Sequence, residues 1–350
     1  MNTNSLSNID LSKNNEVVEF IDTNVRNDYS FIEYNWQYGK RNIYGGFYYL
    51  KGGGIFASQG MIYFPLITNQ EKIISVKSET SYLSKEHRGK GLFEKIYFDA
   101  IEDCRKKNVQ LVWGFTLLDQ VWKNKLGFKC DNVFHEGRIV ISPFNLYKNS
   151  SYSPFKKVLQ FAKNYLSSAR TAYKIKNSSL LISQIKYEDD IQEVSELFSN
   201  WMAKYPEYIC LNLSTDFLRW RIINNPKCKY EILMIKDQEQ NNIGFTICNV
   251  SEQKIYISEL VILKEIHIKE TLEVILSHYR NKKGLDAISY LGNIRNPYNK
   301  LIFENLNSFG ASINELREMK FVFKSIVELD LESNINKYVL NGLWTEGFKI

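Results

Sequence analysis

The sequence predicts a mixed α/β protein of two domains, and three observations predict it. Residues 73–93 read as a strand, a turn rich in cations and glycine, and a helix start. A comparable order of strands and helices restarts after Leu180. The 350 residues suit two domains of ordinary size, and the 44% hydrophobic and 24% charged fractions are those of a globular chain. The expected division is 1–147 for a first domain, 148–178 for a basic amphipathic linker helix, and 179–350 for a second domain with a tail.

In chain order, residues up to about 15 are polar and expected to fray, and 17–21 is expected to be a first strand. Residues 29–44 carry Phe31, Tyr34, Trp36, Tyr38 and Tyr44 and predict an irregular helix. Its rings either pack or line a pocket. Strands are expected at 45–50 and 55–67, joined across Lys51-Gly52-Gly53-Gly54; that glycine run precedes no helix, so it reads as a hairpin turn rather than a phosphate cradle. After a turn at 68–71, Ile74 and Val76 alternate with Ser75 and Lys77, the period of a half-buried strand.

Leu92, Phe93, Ile96, Tyr97, Ala100, Ile101 and Cys104 then recur at helical spacing, and Arg105, Lys106 and Lys107 close the helix with cations. Between strand and helix lies Arg88-Gly89-Lys90-Gly91. Orphan N–H groups at a helix start, glycines that admit close approach and two cations make a seat for a pyrophosphate, although no Walker loop is present. A buried strand is expected at 109–115, a short helix within 117–128, and the last strand material of the first domain at 128–143.

Residues 146–177 carry an apolar stripe (Phe155, Val158, Leu159, Ala162, Tyr165, Leu166, Ala169), and the charged residues among them are all basic. A helix lying on an anionic membrane has this pattern, but the reading favoured is an interdomain helix with a solvated polar face. From Leu180 the prediction is strand 181–187, helix 188–205, strands 230–235, 243–250 and 254–263, helix 269–279 and strand 287–291, a diverged repeat of the first domain. The repeat's junction at 263–269 has no glycine and no Arg-x-x-Gly, so it is not expected to seat a pyrophosphate. The tail, with Trp344 and Phe348, is expected to dock at the domain junction.

A net charge of +6 suits an anionic small ligand and falls short of arguing for nucleic acid. Five cysteines without a C-x-x-C pair read as reduced thiols, and His135, His267 and His278 have no metal-like spacing, so no metal is expected. A polar N-terminus and no long apolar run lead to the expectation of a soluble, cytoplasmic protein without a membrane segment.

Strand, R-G-x-G, amphipathic helix, strand, helix and Leu126-Gly127-Phe128, in that order, resemble the GNAT superfamily of acyl-CoA-dependent N-acyltransferases. Arg88 and Gly91 match the first and fourth positions of its Q/R-x-x-G-x-G/A motif; Phe93 stands where Gly or Ala is usual. The resemblance implies tandem GNAT folds, each a mixed, strongly twisted sheet flanked by helices, with a degenerate second copy. It implies acetyl-CoA or another acyl-CoA as co-substrate, held by Arg88, Gly89, Lys90, Gly91, Leu92 and Phe93, with backbone groups of Tyr82 and Leu83 pairing with the pantetheine arm. The Leu83 N–H would serve the oxyanion, and Glu79, on the strand face opposite Ile74 and Val76, is the candidate base; pairing with Lys77 is its alternative. Thr116, Asp119 and Lys123 occupy positions where the family often has Asn, Ala and a proton-donating Tyr, which leaves the general acid unassigned. His87 is expected to flank the phosphates. The expected activity is acetyl transfer to a small-molecule amine, an amino sugar or nucleotide-linked amino sugar first, in a bacterial enzyme. Aminoglycoside, polyamine or peptide amines and a silent acyl-CoA sensor are the alternatives.

Overall fold

The computed structural model describes residues 4–6, 11–148, 153–175, 178–185, 190–327, 331 and 334–345. The amino-terminal half supplies strands β1 (Asn4–Leu6), β2 (Gly46–Lys51), β3 (Ile55–Tyr63), β4 (Leu66–Thr68), β5 (Glu71–Ile73), β6 (Ser75–Leu83), β7 (Leu111–Thr116), β8 (Lys129–Asp131) and β9 (Phe134–Val140). The other half supplies β10 (Leu181–Gln184), β11 (Cys210–Leu211), β12 (Tyr230–Lys236), β13 (Asn242–Val250), β14 (Lys254–Ile262), β15 (Ala287–Asn293), β16 (Ser312–Glu315) and β17 (Lys320–Ser325). The helices are α1 (Leu11–Asn24), α2 (Phe31–Tyr38), α3 (Leu92–Lys106), α4 (Asp119–Asn124), α5 (Pro143–Lys148), α6 (Pro154–Lys174), α7 (Ile191–Met202), α8 (Thr215–Leu218), α9 (Ile268–Arg280), α10 (Pro297–Ser308) and α11 (Gly342–Thr345).

Two large mixed sheets follow one plan. The first runs β1-β2-β3-β6-β7-β17-β8 and the second β10-β12-β13-β14-β15-β9-β16. In each, an antiparallel pair leads into a strand that runs parallel to the next one across a helix, α3 in the first and α9 in the second. Such a crossover needs a helix whose apolar stripe can cover the sheet. On α3, Ile96, Tyr97, Ala100, Ile101 and Cys104 are buried, as their spacing predicts.

The sheets exchange strands, and this corrects the expected placement of 128–143. Of that segment β8 stays in the first sheet, whereas β9 pairs between β15 and β16 in the second. Reciprocally, β17 lies between β7 and β8 in the first. The expected division at 147/148 and 178/179 therefore does not follow the sheets. Alternation decides which face of a strand is buried but does not choose its neighbour.

Other corrections are local. Residues 17–21 are helix, not strand: Val17, Phe20 and Ile21, spaced as on one helical face, are buried inside α1. The strand expected to run to 67 ends at Tyr63, and β4 joins β5 and β11 in a separate three-stranded sheet. The hairpin at 51–54 forms as expected, with Gly52 N–H donating to Gly54 O at 3.0 Å. On α6 the roles of the faces are reversed. Ser167 and Ser168 donate to the carbonyls of Gly310 and Ile141, and buried Thr171 donates to Phe309, while the apolar stripe points to solvent.

One face of the first sheet packs under α3 and α4, with Val76, Val112, Trp122 and Val322 among its buried residues. The other face joins the core of the second half in one continuous cluster. At that seam Trp36 and Trp220 stack at 5.1 Å, and each indole N–H donates to the other's backbone carbonyl, at 2.9 and 2.8 Å. The Phe217–Arg221 stretch of the second half is thereby fastened to α2. Trp344 is also buried at the seam, 4.7 Å from Trp113 and 6.1 Å from Phe321, as the docking of the tail predicted for this residue; Phe348 lies outside the described residues.

Candidate active site

Strands β6 and β7 pair only from Ser75–Leu111 to Lys77–Trp113, then part. The gap opens into a cavity of about 660 Å³. Glu79, Tyr82, Leu83, Arg88, Gly89, Gly91, Leu92 and Phe93 line it, with Phe115, Val121 and Trp122 as further apolar wall. Of the residues expected at the site, Lys90 and the flanking His87 are not among its lining.

The parting begins at a bulge. Ser58 faces Tyr82 and Gly60 faces Glu79, so two residues of β6 oppose one of β3. Thr80 takes φ of 50°, a left-handed backbone that a β-branched residue adopts only when its surroundings impose it. Those surroundings are polar and specific. Ser58 Oγ donates to Thr80 O at 2.8 Å, and Ser81 Oγ to Gln59 Oε1 at 2.6 Å. Gln59 Nε2 donates to Ser78 Oγ at 2.9 Å, and Tyr38 Oη and Thr80 Oγ1 share a hydrogen bond of 2.8 Å. Gly60 is required here, because a Cβ would stand 1.9 Å from the Tyr38 hydroxyl. No motif marks Tyr38, Ser58 and Gln59 for this role; a glycine inside a strand, at Gly60, is the signal that points to them.

Beyond the bulge, Ser84 N–H donates to Phe56 O at 2.9 Å. Alternation along an antiparallel pair then turns Tyr82's peptide groups toward Ser58 and Leu83's toward the gap. Leu83 O already accepts from Arg88 Nε at 3.2 Å. Of the two residues expected to offer backbone groups to a ligand, Leu83 turns its peptide groups toward the gap, and Tyr82 lines the cavity with its peptide groups facing β3.

The turn after β6 is built from a short 3₁₀ segment, Lys85–His87, and two glycines at φ of 76° and 71°. His87 stacks on Phe56 at 4.0 Å, and its Nδ1 lies 2.7 Å from Ser84 Oγ. Gly91 opens α3 without a side-chain cap, so the N–H groups of the first turn point into the cleft mouth. Glu94, in that turn, pairs with Lys125 at 2.6 Å, which holds its carboxyl below the usual range and offsets a negative charge beside the seat.

Glu79 Oε1 meets Lys77 Nζ at 2.5 Å. The Lys77 side chain is 2% exposed and lies 5.6–5.8 Å from the rings of Phe64, Trp113 and Phe115. Glu79 is thus the counter-ion of a buried ammonium and at the same time lines the cavity. Lys123, in the family's tyrosine position, pairs with Asp119 at 3.3 Å on the surface, whereas neighbouring Trp122 faces the cleft. Tyr97, packed at 5.2 Å from Trp122, is fully buried with its hydroxyl toward Ser78, and burial raises its pKa well above the ordinary value.

In the second half, β14 and β15 also pair briefly, from Lys254–Ala287 to Ile257–Tyr290, and part next to a bulge. Here the wedge is filled. Asn293 N–H donates to Leu340 O at 3.1 Å and Gly292 bridges to Asn341. Tyr298 Oη accepts from Ile262 N–H at 2.9 Å and donates to Leu260 O at 3.3 Å. Among the described residues no group of three His, Cys, Asp or Glu could hold a metal.

No family model matches the sequence, and no curated protein matches it. Solved structures do match. A probable N-acyltransferase of Enterococcus faecalis superposes with a TM-score of 0.64 at 10% identity, over 93% of this chain and 72% of the other. A GCN5-related N-acetyltransferase of Anabaena variabilis gives 0.63 at 10% identity, over 92% and 72%. This is the GNAT fold. The GNAT plan also extends to the N-myristoyltransferase of Saccharomyces cerevisiae with bound myristoyl-CoA and inhibitors, at a TM-score of 0.57 and 13% identity over 92% and 79%. Each of these likenesses is one of fold and extends over more than nine-tenths of this chain.

Proposed function

We propose that this protein is an N-acyltransferase that moves an acetyl or other short acyl group from acyl-CoA to a primary amine by direct attack. The observation that carries this reading is the open gap between β6 and β7, which leads from the R-G-K-G turn to the bulge at Glu79. The pyrophosphate would rest on the first N–H groups of α3, with Arg88 and Lys90 alongside. The acyl-bearing arm would lie along Leu83 against Leu92, Phe93 and Trp122. Attack of the amine on the thioester carbonyl builds negative charge on its oxygen, which the Leu83 N–H would meet. Glu79 would take the proton of the incoming ammonium, and collapse would expel the thiolate.

For the acceptor we favour an amino sugar, or one linked to a nucleotide. A second cavity, of about 510 Å³, carries Arg41, Lys72 and Arg219 beside Tyr63 and Trp220, a mixture of cations and rings that suits phosphates and a base. Tyr63 is three residues along β3 from Gly60, the partner of Glu79, about 10 Å. Thiol release from acetyl-CoA with a panel of amines tests the reading, and turnover with sugar amines above polyamines is expected. Coenzyme binding without turnover of any amine would favour a sensor instead, which the Lys77–Glu79 pair and the absence of a tyrosine at position 123 would then explain.

A further inference from the structure

Helix α6 is mounted the wrong way round for a helix that serves the core. Its 21 residues span about 30 Å. Ser167, Ser168 and Thr171, the small polar side, hold it to the body through the three carbonyls already named. The apolar stripe faces away. Phe155 is 76% exposed, Leu159 56%, Leu166 69% and Tyr173 87%, and Phe144 from α5 stands 61% exposed against Phe161 at 5.1 Å. Scattered exposed apolar side chains need no explanation, but a row of them along a whole helix marks a contact surface.

The charges beside the row narrow the partner. Residues 143–175 contain six Lys or Arg and no Asp or Glu. At 100° per residue, Lys156, Lys163 and Arg170 fall together on one flank of the stripe. A second copy of this chain would bring like-charged flanks together. A surface that is apolar within and anionic at its rim would meet both features, and aromatic rings at the boundary suit such a surface. We propose that α6, with the adjoining ring of Phe144, docks on a membrane rich in anionic phospholipid, lying in its plane. No described helix is long and apolar enough to cross a membrane. This site reverses the sequence expectation of a solvated interdomain helix, and it stands apart from the acyl-transfer reading.

Co-sedimentation of the full chain with vesicles tests it. The protein should sediment with phosphatidylcholine vesicles containing phosphatidylglycerol, and much less with phosphatidylcholine alone. The triple change Phe155→Ser, Leu159→Ser, Leu166→Ser should weaken binding more than about ten-fold, with the melting temperature unchanged because these side chains leave the body untouched. Replacing Lys163 and Arg170 by Gln should weaken it roughly five-fold per charge and flatten its salt dependence. Failure to bind either vesicle overturns the proposal, as does a triple variant that binds like the parent. A parent that forms dimers without binding vesicles, and that the triple change converts to monomers, would assign the stripe to self-association and also overturn it.

Discussion

The two halves put the same parting of strands to opposite ends. In the first, the wedge beyond Lys77 and Trp113 is open, walled by apolar side chains and bordered by the Leu83 peptide. In the second, the wedge beyond Ile257 and Tyr290 is closed by Leu340, Asn341 and the Tyr298 hydroxyl. Strands that part leave peptide groups without a ladder partner, and such groups need another donor or acceptor. The closed half finds them within the chain, while in the open half the Leu83 peptide borders the cavity and its carbonyl accepts from Arg88. The junction sequences agree. Gly89 and Gly91, both at positive φ, turn the first strand into a helix start without a side-chain cap, whereas Lys264-Glu265-Ile266-His267 turns the second with no glycine at all.

The sharpest way to break this comparison is at the bulge. Glu79→Gln should lower kcat about 10²- to 10⁴-fold if the carboxylate is the base. Because the change also removes the carboxylate that meets the buried Lys77 ammonium, the companion Lys77→Met/Glu79→Gln is needed; recovery of activity in the pair would show that only the ion pair mattered. Next in size is the closing of the second wedge. Trp344→Ala removes a fully buried ring from the seam and should cost about 3–5 kcal/mol in urea unfolding; an unchanged midpoint would mean that the tail merely lies against the seam.

The turns offer a paired test. Arg88→Glu should weaken coenzyme A binding by at least about ten-fold in titration calorimetry, whereas Lys264→Glu, in the corresponding turn of the second half, should leave it unaltered at one site per chain. Equal losses would abolish the distinction between the halves.

The smallest effect concerns pH. Burial raises the Glu259 carboxyl from 4.5 to about 8, against the opposing hydrogen bonds from Asn341 and Leu260. The folded state therefore holds this proton more tightly than the unfolded chain. Its stabilising contribution is complete below about 4.5 and is lost as the pH rises through about 8. The melting temperature should decline across that window in the parent and stay flatter in Glu259→Gln. Parallel curves would show that Glu259 does not titrate there.

The sequence made legible what is local. The strand, turn and helix at 75–106 announce themselves by periods of two and then 3.6, and the glycines of the turn by the conformations only they take readily. Residues 17–21 misled because a short apolar run fits either period, and only packing against α2 and the first sheet decides it. The bulge at Thr80 was hidden because nothing in that residue announces a left-handed backbone; its cause lies on β3 and α2, at Gln59 and Tyr38. The exchange of β9 and β17 was beyond reach for a related reason: Phe321, Val322 and Phe323 are buried in succession and β9 is buried irregularly, so neither pattern names the sheet it joins. On α6 the stripe was plain, but its direction depended on Ser167, Ser168 and Thr171 finding carbonyls on the body.

The exchange of strands has a consequence for synthesis. The strand that flanks β7 beside the cleft is β17, encoded some two hundred residues later. While the ribosome is still making the second half, the nascent first sheet has a bare edge at β7. Cutting the gene at its apparent midpoint should thus yield two fragments that associate, each completing the other, rather than two independent proteins.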